Sequence, residues 1–354
     1  MSPTRSRLRL LVPVLALSLL TAACGSSGSA KAGADNTNAG GEKVTLRLGY
    51  FPNVTHAPAM VGLEGGQFAS ALGSNVTQKT SVFNAGPAAV EALFSKSIDA
   101  SFVGPNPAIN AYSKSKGAAI RVVAGTASGG AFLVVQPDIK TVDDLKGKKV
   151  GTPQLGNTQD VALRYWLKSK NLATNTEGGG DVNVVPADNS TTVQAFQQGD
   201  IAGAWVPEPY ATKLIDAGGH ILVDERDLWP DGKYVTTLLI VRTEFLNDHP
   251  DVVANLIKGL SASIDLITGD EAKAAGYVSK GVEAATSKPL AVDLVTKSFS
   301  NITFTLDPVA SSLRADVEHA VAVGTLDATD IKNIFDLSLL NKFLSAEGKE
   351  AVHS

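Results

Sequence analysis

The chain has 354 residues, with 31 basic and 35 acidic side chains and a net charge of −4; that acidity excludes a nucleic-acid partner, which would need a basic face. A single cysteine, Cys24, excludes an internal disulfide, a multi-cysteine zinc site and a redox pair. The five histidines, at positions 56, 220, 249, 319 and 353, include no pair at metal-ligand spacing, so neither a metal nor a cofactor is expected.

At the N-terminus, Arg5, Arg7 and Arg9 precede an apolar run over residues 10–20, and Thr21, Ala22 and Ala23 lead to Cys24, the order of a signal peptide over residues 1–23. The run is far shorter than the roughly 20 residues that span a bilayer as a helix, and no later segment is read as a span. Removing residues 1–23 takes away three arginines and leaves 28 basic against 35 acidic side chains, a mature net charge of −7. The cysteine after small residues resembles the lipobox of bacterial lipoproteins, which implies that the Cys24 thiol is acylated and anchors the chain to a membrane. The alternative is a plain secretory signal with an incidental cysteine. Residues 25–43, rich in Gly, Ser, Ala and Asn, have too little apolar surface to order themselves and read as a tether of roughly 25 Å reach.

From residue 44 the pattern is strand, loop, helix: an alternating strand over 44–49, a loop from Tyr50 to His56, and a helix over 58–68. A strand over 76–82, a helix over 87–95 and a strand over 98–103 follow. The order returns with a strand over 148–151, a loop over 152–157, a helix over 158–168, a strand over 182–186, a helix over 191–198 and a strand over 201–206. Val90, Ala92, Leu93, Ile98, Phe102 and Val103 match Val193, Ala195, Phe196, Ile201, Trp205 and Val206 at a constant offset of 103. This repeat of order and residues predicts two similar α/β lobes. Strands over 121–125 and 131–135 form one crossover and a strand over 236–241 returns the chain, giving a first lobe at 44–132 and 237–354 and a second at 133–236. Helices are expected over 250–268, 270–279, 291–298, 309–323 and 329–334.

The chain has no nucleophile elbow, Walker loop or dinucleotide fingerprint. It does carry polar and aromatic residues where strands end and helices begin, which is where open α/β sheets bind ligands. The loops holding Tyr50, Phe51, Asn53 and His56, then Gly104 and Asn106, then Gly156, Asn157 and Thr158, each lead to a helix N-terminus and contain no Lys or Arg. Amides, hydroxyls and helix dipoles there suit a small, singly charged anion; the same residues equally suit simple helix caps, Asn157 above all. Ser128 sits on the crossover, where the cleft floor is expected. Trp205 either covers an apolar ligand portion or packs in a core, and Glu208 either takes a ligand amine or a structural base. Glu225, Arg226 and Trp229 read first as contacts between lobes.

Taken together, Gly49-Tyr-Phe-Pro-Asn-Val-Thr-His-Ala-Pro58, Phe83-Asn-Ala-Gly-Pro87, Val103-Gly-Pro-Asn-Pro107, Thr152-Pro-Gln-Leu-Gly-Asn-Thr-Gln-Asp160, Ala204-Trp-Val-Pro-Glu-Pro209 and Val223-Asp-Glu-Arg-Asp-Leu-Trp229 resemble the substrate-binding proteins of ABC importers of the aliphatic sulfonate, taurine and nitrate type. The likeness covers about residues 44–342. It implies a two-lobed, periplasmic-binding-protein-like (type II) α/β fold with two crossover hinge strands, closing on a ligand in the cleft. It also implies a monomeric, non-enzymatic receptor that hands a small organic anion to an ABC permease and ATPase, with the loops named above lining the site and Trp205 near it. An aliphatic sulfonate is the expected ligand, linking the protein to sulfur metabolism. Nitrate, bicarbonate or a thiamine-pyrimidine precursor is the alternative within the family. A ligand-sensing lipoprotein, or an enzyme akin to pyrimidine synthesis using His56, lies outside it.

Overall fold

The computed structural model describes residues 43–354; the expected signal segment, Cys24 and the tether up to residue 42 lie outside the described residues. β1 (Val44–Tyr50) places Leu46, Leu48 and Tyr50 in one buried core, as alternation requires. After it come α1 (Ala57–Glu64), α2 (Gln67–Leu72), β2 (Val76–Val82), α3 (Gly86–Phe94), β3 (Ala100–Val103), α4 (Pro105–Lys114) and β4 (Ile120–Gly129). The helix expected over 58–68 is two helices, because the chain turns at Gly65 and Gly66, the latter at φ 80°.

A second sheet is built from β5 (Ala131–Val135), β6 (Lys149–Thr152), β7 (Asn183–Pro186), β8 (Gly203–Pro207) and β9 (His220–Asp224), with α5 (Thr158–Ser169), α6 (Asn189–Gln198) and α7 (Tyr210–Asp216) between them. The chain then returns through β10 (Val235–Arg242), α8 (Thr243–Asp248), α9 (Pro250–Gly269), α10 (Glu271–Thr286), α11 (Val292–Phe299), β11 (Ile302–Phe304), α12 (Ala310–Ala322) and α13 (Ser338–Ala346).

The strand orders are β2-β1-β3-β10-β4-β11 and β7-β6-β8-β5-β9. In each sheet the first three strands are parallel and the fourth runs antiparallel to its neighbours. That fourth strand is the one arriving from the other sheet: β5 follows β4, and β10 follows β9. The internal repeat is thus a repeat of topology. The forward crossing is the Gly129-Gly130 pair, both left-handed at φ 81° and 75°, a conformation open to glycine at little cost. Ala131 and Phe132, expected in the first lobe, pair with Pro207 and Val206 in the second sheet, and Val235, expected in the second, pairs with Ser128 in the first.

Helices cover both faces of the first sheet, which is mixed and has parallel pairing among β2, β1 and β3. α1, α2, α9, α10 and α13 enclose one core; α3, α4 and α12 enclose the other. α9 is long and apolar enough to cross a membrane by length and composition. Val253, Leu256, Ile257 and Leu260 nonetheless bury it in the first core, where Gly259 admits the Phe68 ring. The helix expected over 329–334 is absent: residues 331–334 form a turn, with Ile334 N–H donating to Ile331 O at 3.0 Å, and Phe335 bridges Val122 of β4, whose N–H donates to Ile334 O at 2.8 Å while Asp336 N–H donates to Val122 O at 2.9 Å. Ile331, Ile334 and Phe335 mimic a helical stripe while filling the core beside β4.

Candidate functional site

The C-terminal ends of β1 and β3 in the first lobe face the ends of β6 and β8 in the second. Gly104 begins α4 and Thr158 begins α5, and the two meet: a Cβ on Gly104 would lie 2.3 Å from Thr158 Oγ1. Gly86, at the start of α3, is similarly close to Asn157, 3.2 Å from its Oδ1 to an added Cβ. Helix N-termini from opposite lobes therefore converge, each carrying partial positive charge and N–H groups without intrahelical acceptors. In α4, prolines at 105 and 107 leave Asn106 as the N–H that faces out of the first turn. The Thr158 hydroxyl is buried and has no hydrogen-bond partner among the described residues.

The loop before α5 is rigidly held. Asp160 accepts from Gly156 N–H at 2.9 Å and Thr152 Oγ1 at 2.9 Å, and pairs with buried Arg164 at 3.0 Å. Asn157 does not cap the helix; its side chain donates to Gln159 Oε1 at 3.2 Å. Ser128, on β4 opposite Val235 and Thr303, is nearly buried at the crossing. Gly104, Asn106, Asn157 and Thr158 are thus brought together.

Tyr50, Phe51, Asn53, His56, Trp205 and Glu208 are engaged in packing and hydrogen bonds within the protein. Tyr50 packs in the first-lobe core with its hydroxyl pKa raised by burial and by Glu64. Phe51 stacks on His56 at 4.3 Å, and its N–H donates to His56 Nδ1 at 3.3 Å. Burial lowers the His56 pKa to about 3, so the ring is neutral and one nitrogen is occupied. Asn53 turns the chain into the helical segment, its carbonyl accepting from His56 N–H.

Trp205 lies wholly in the second-lobe core, edge-on to Trp166 at 6.0 Å, with its indole N–H donating to Glu225 Oε2 at 2.7 Å. Glu208, 0% exposed, accepts from Thr212 N–H and Oγ1, Asn301 Nδ2 and Ser298 Oγ. Its carbonyl accepts from Val54 N–H at 3.0 Å and its N–H donates to Gly130 O at 2.8 Å. It meets no structural base: this residue knots the two lobes through neutral donors.

Residues that the sequence reading did not place in the site occupy the middle of the molecule. Glu225 and Trp229, from the return crossing, stand near Asp316 of α12, and Trp229 packs on Tyr234 at 5.6 Å and on His319 at 5.2 Å. His319 stacks on Tyr165 of α5 at 3.7 Å, joining the lobes. Burial lifts the Glu225 carboxyl to about 7 and raises Asp316 well above the usual range, with the Glu225 charge adding to the latter. A signal for Asp316 did exist: it interrupts the buried stripe of Ala310, Leu313 and Ala320 on α12.

The chain is 29% identical over 254 residues to a binding protein of Brucella abortus, a match spanning 67% of this chain and 76% of that one. It is 28% identical over 205 residues to the taurine-binding periplasmic protein of Escherichia coli, spanning 57% and 60%. The alkanesulfonate-binding protein SsuA of Xanthomonas axonopodis pv. citri, solved bound to MOPS, superposes with a TM-score of 0.66 at 19% identity, over 81% of this chain and 96% of that one. The two lobes share the fold of periplasmic binding proteins. The profile of the NMT1-like family matches residues 39–279, and the chain belongs to that family.

Proposed function

We propose that this chain is the extracytoplasmic solute receptor of an ABC importer, held to the membrane through Cys24, and that it binds a small organic anion of the aliphatic sulfonate class between its lobes. The carrying observation is the meeting of Gly104 and Thr158, which sets the N-termini of α4 and α5 from opposite lobes against one point, with the Thr158 hydroxyl unpartnered. An anion bound there touches both lobes at once, so its binding energy favours the closed arrangement, the state a permease can distinguish from the empty one. The related proteins named for binding taurine and alkanesulfonates support the ligand class.

Binding rather than catalysis is the role that fits these residues. His56 is neutral and its Nδ1 is taken by Phe51, leaving no activated nucleophile–base pair there. The deciding experiment is calorimetry of the purified protein against alkanesulfonates, taurine, sulfate and nitrate; absence of heat from every sulfonate rejects the ligand class.

A second reading has one observation in its favour. The aromatic row of Tyr234, Trp229 and His319 is suited to a planar ring, so a thiamine-pyrimidine precursor belongs in the same titration. Tight binding of such a pyrimidine with no response to sulfonates would select it.

A further inference from the structure

Where this chain buries a carboxylate for structure, it supplies partners. Asp99 has Arg47 and Arg242, Asp160 has Arg164, and Glu208 has a set of neutral donors. Asp316 breaks that habit, and Glu225 has only indole N–H groups, from Trp205 and Trp229, as donors among the described residues. Glu225 is 2% exposed and receives the Trp205 indole; Asp316 is 5% exposed, and the bond it accepts from Asn106 goes to its backbone carbonyl, leaving its carboxylate without a donor among the described residues. Neither has a basic partner among the described ion pairs, since the nearby Arg226 is committed to Asp224 and Arg164 to Asp160.

Asn106, 1% exposed, points the same way. Its Nδ2 reaches the Asp316 carbonyl at 3.5 Å, and its Oδ1, an acceptor, has no partner. The walls are the rings of Trp229, Tyr234 and His319, and burial lowers the His319 pKa to about 4, so this ring adds no positive charge at neutral pH. Unpaired acceptors in such a place are costly, and what relieves them is a donor carrying positive charge; aromatic faces favour the same guest.

We propose that Glu225 and Asp316 form a cation subsite that receives a protonated amine of the ligand, so that the solute is a zwitterion whose anionic end lies at the N-termini of α4 and α5. This rests on the cleft-binding role proposed above and narrows its ligand class to aminoalkanesulfonates. Glu225 comes from the second lobe and Asp316 from the first, so the amine draws the lobes together as the anion does. Asn106 joins the two subsites, with its backbone N–H at the α4 terminus and its side chain beside Asp316.

The test is calorimetry at pH 7 on the intact protein with matched ligands: 2-aminoethanesulfonate, its N-acetyl derivative, ethanesulfonate and β-alanine. The aminated sulfonate is expected to bind at least tenfold tighter than ethanesulfonate and the N-acetyl compound, and Glu225→Gln and Asp316→Asn each to erase that preference while leaving ethanesulfonate binding in place. Equal binding of aminated and plain sulfonates by the unaltered protein overturns the cation subsite and leaves the sulfonate receptor standing. Binding of β-alanine that Glu225→Gln abolishes, with no response to any sulfonate, overturns the sulfonate class and upholds the subsite. Should either variant fail to fold, the preference measured on the unaltered protein still decides.

Discussion

Gly104 in the first lobe and Thr158 in the second stand so close that a Cβ at 104 would come within 2.3 Å of the Thr158 hydroxyl. Gly104 itself has φ −72° and ψ 164°, which any residue adopts, so the absence of a side chain there serves the approach of the lobes and not the local backbone. Gly104→Ala is expected to fold with stability within about 0.5 kcal/mol of the parent and to bind ligand at least about tenfold more weakly, a loss of about 1.4 kcal/mol. Calorimetry together with small-angle scattering checks this. Unchanged affinity and compaction would show that the loaded lobes do not meet at this point.

Thr158 and Asn157 are separable by their surroundings. The Thr158 hydroxyl is buried and unpartnered, whereas the Asn157 amide is spent partly on Gln159. Thr158→Val keeps the volume and removes the donor, and is expected to weaken binding by about 1–3 kcal/mol, the cost of a hydrogen bond to a charged group. Asn157→Ala is expected to weaken binding by a similar amount only if its amide turns to the ligand, and to cost little helix stability because it forms no cap. Titrating both variants, alongside their unfolding curves, distinguishes these outcomes.

Glu208 is the knot between lobes. Removing its carboxylate in Glu208→Ala strands Thr212 N–H and Asn301 Nδ2 in a buried setting, and is expected to lower unfolding stability by about 2–4 kcal/mol. Glu208→Gln, which keeps one acceptor, should lose less. Urea unfolding measures both, and a loss under about 1 kcal/mol in the alanine variant would remove the structural role.

Cys24 is expected to decide where the protein resides. Cys24→Ala, expressed in a bacterial host, should shift the protein from the membrane pellet to the soluble extracytoplasmic fraction and abolish incorporation of labelled fatty acid. One acyl chain contributes about 0.8 kcal/mol per buried methylene, which the polar segment over residues 25–43 cannot replace. Retention of the variant in the pellet would point to another means of attachment.

The elements legible in the sequence are those whose burial follows a simple period. β1 shows its alternation, and β2 shows the polar outer face of an edge strand; both stand where the pattern places them. The twofold echo of helix and strand foretold two sheets of one topology. What was hidden depends on contacts distant in sequence: β11 is three residues long and exists through pairing with β4, and residues 331–336 turn and dock on β4 because Val122 bonds to both Ile334 and Asp336. The candidate site divides in the same way. That Gly104, Asn106, Asn157 and Thr158 lie where strands give way to helices was legible because such loops announce themselves, while Trp205 resembles a cleft aromatic in sequence and packs in the second-lobe core. Asp316 and His319 face inward on a helix with no motif, and only the return crossing brings Glu225 and Trp229 to them.

The buried acids leave a signature in the pH dependence of stability. Glu225 titrates near 4.5 when unfolded and is lifted to about 7 by burial. Between those values the folded chain keeps a proton that the unfolded chain has released, so stability is greatest below 4.5, falls as pH rises and levels off above about 7. His56 and His319 act with the opposite sign: burial lowers them from 6.5 to about 3 and about 4, so stability falls as pH drops below 6.5. The opposing trends mask each other in the parent protein, and Glu225→Gln separates them. Glutamine keeps an acceptor for the Trp205 indole and removes the titration, so the variant should gain on the parent by up to about 3 kcal/mol between pH 4.5 and 8, with most of the gain below pH 7. Urea unfolding of both proteins at intervals across that range gives the difference curve; a flat curve would mean that Glu225 ionises in the folded chain much as it does in water, and that its environment is not dry.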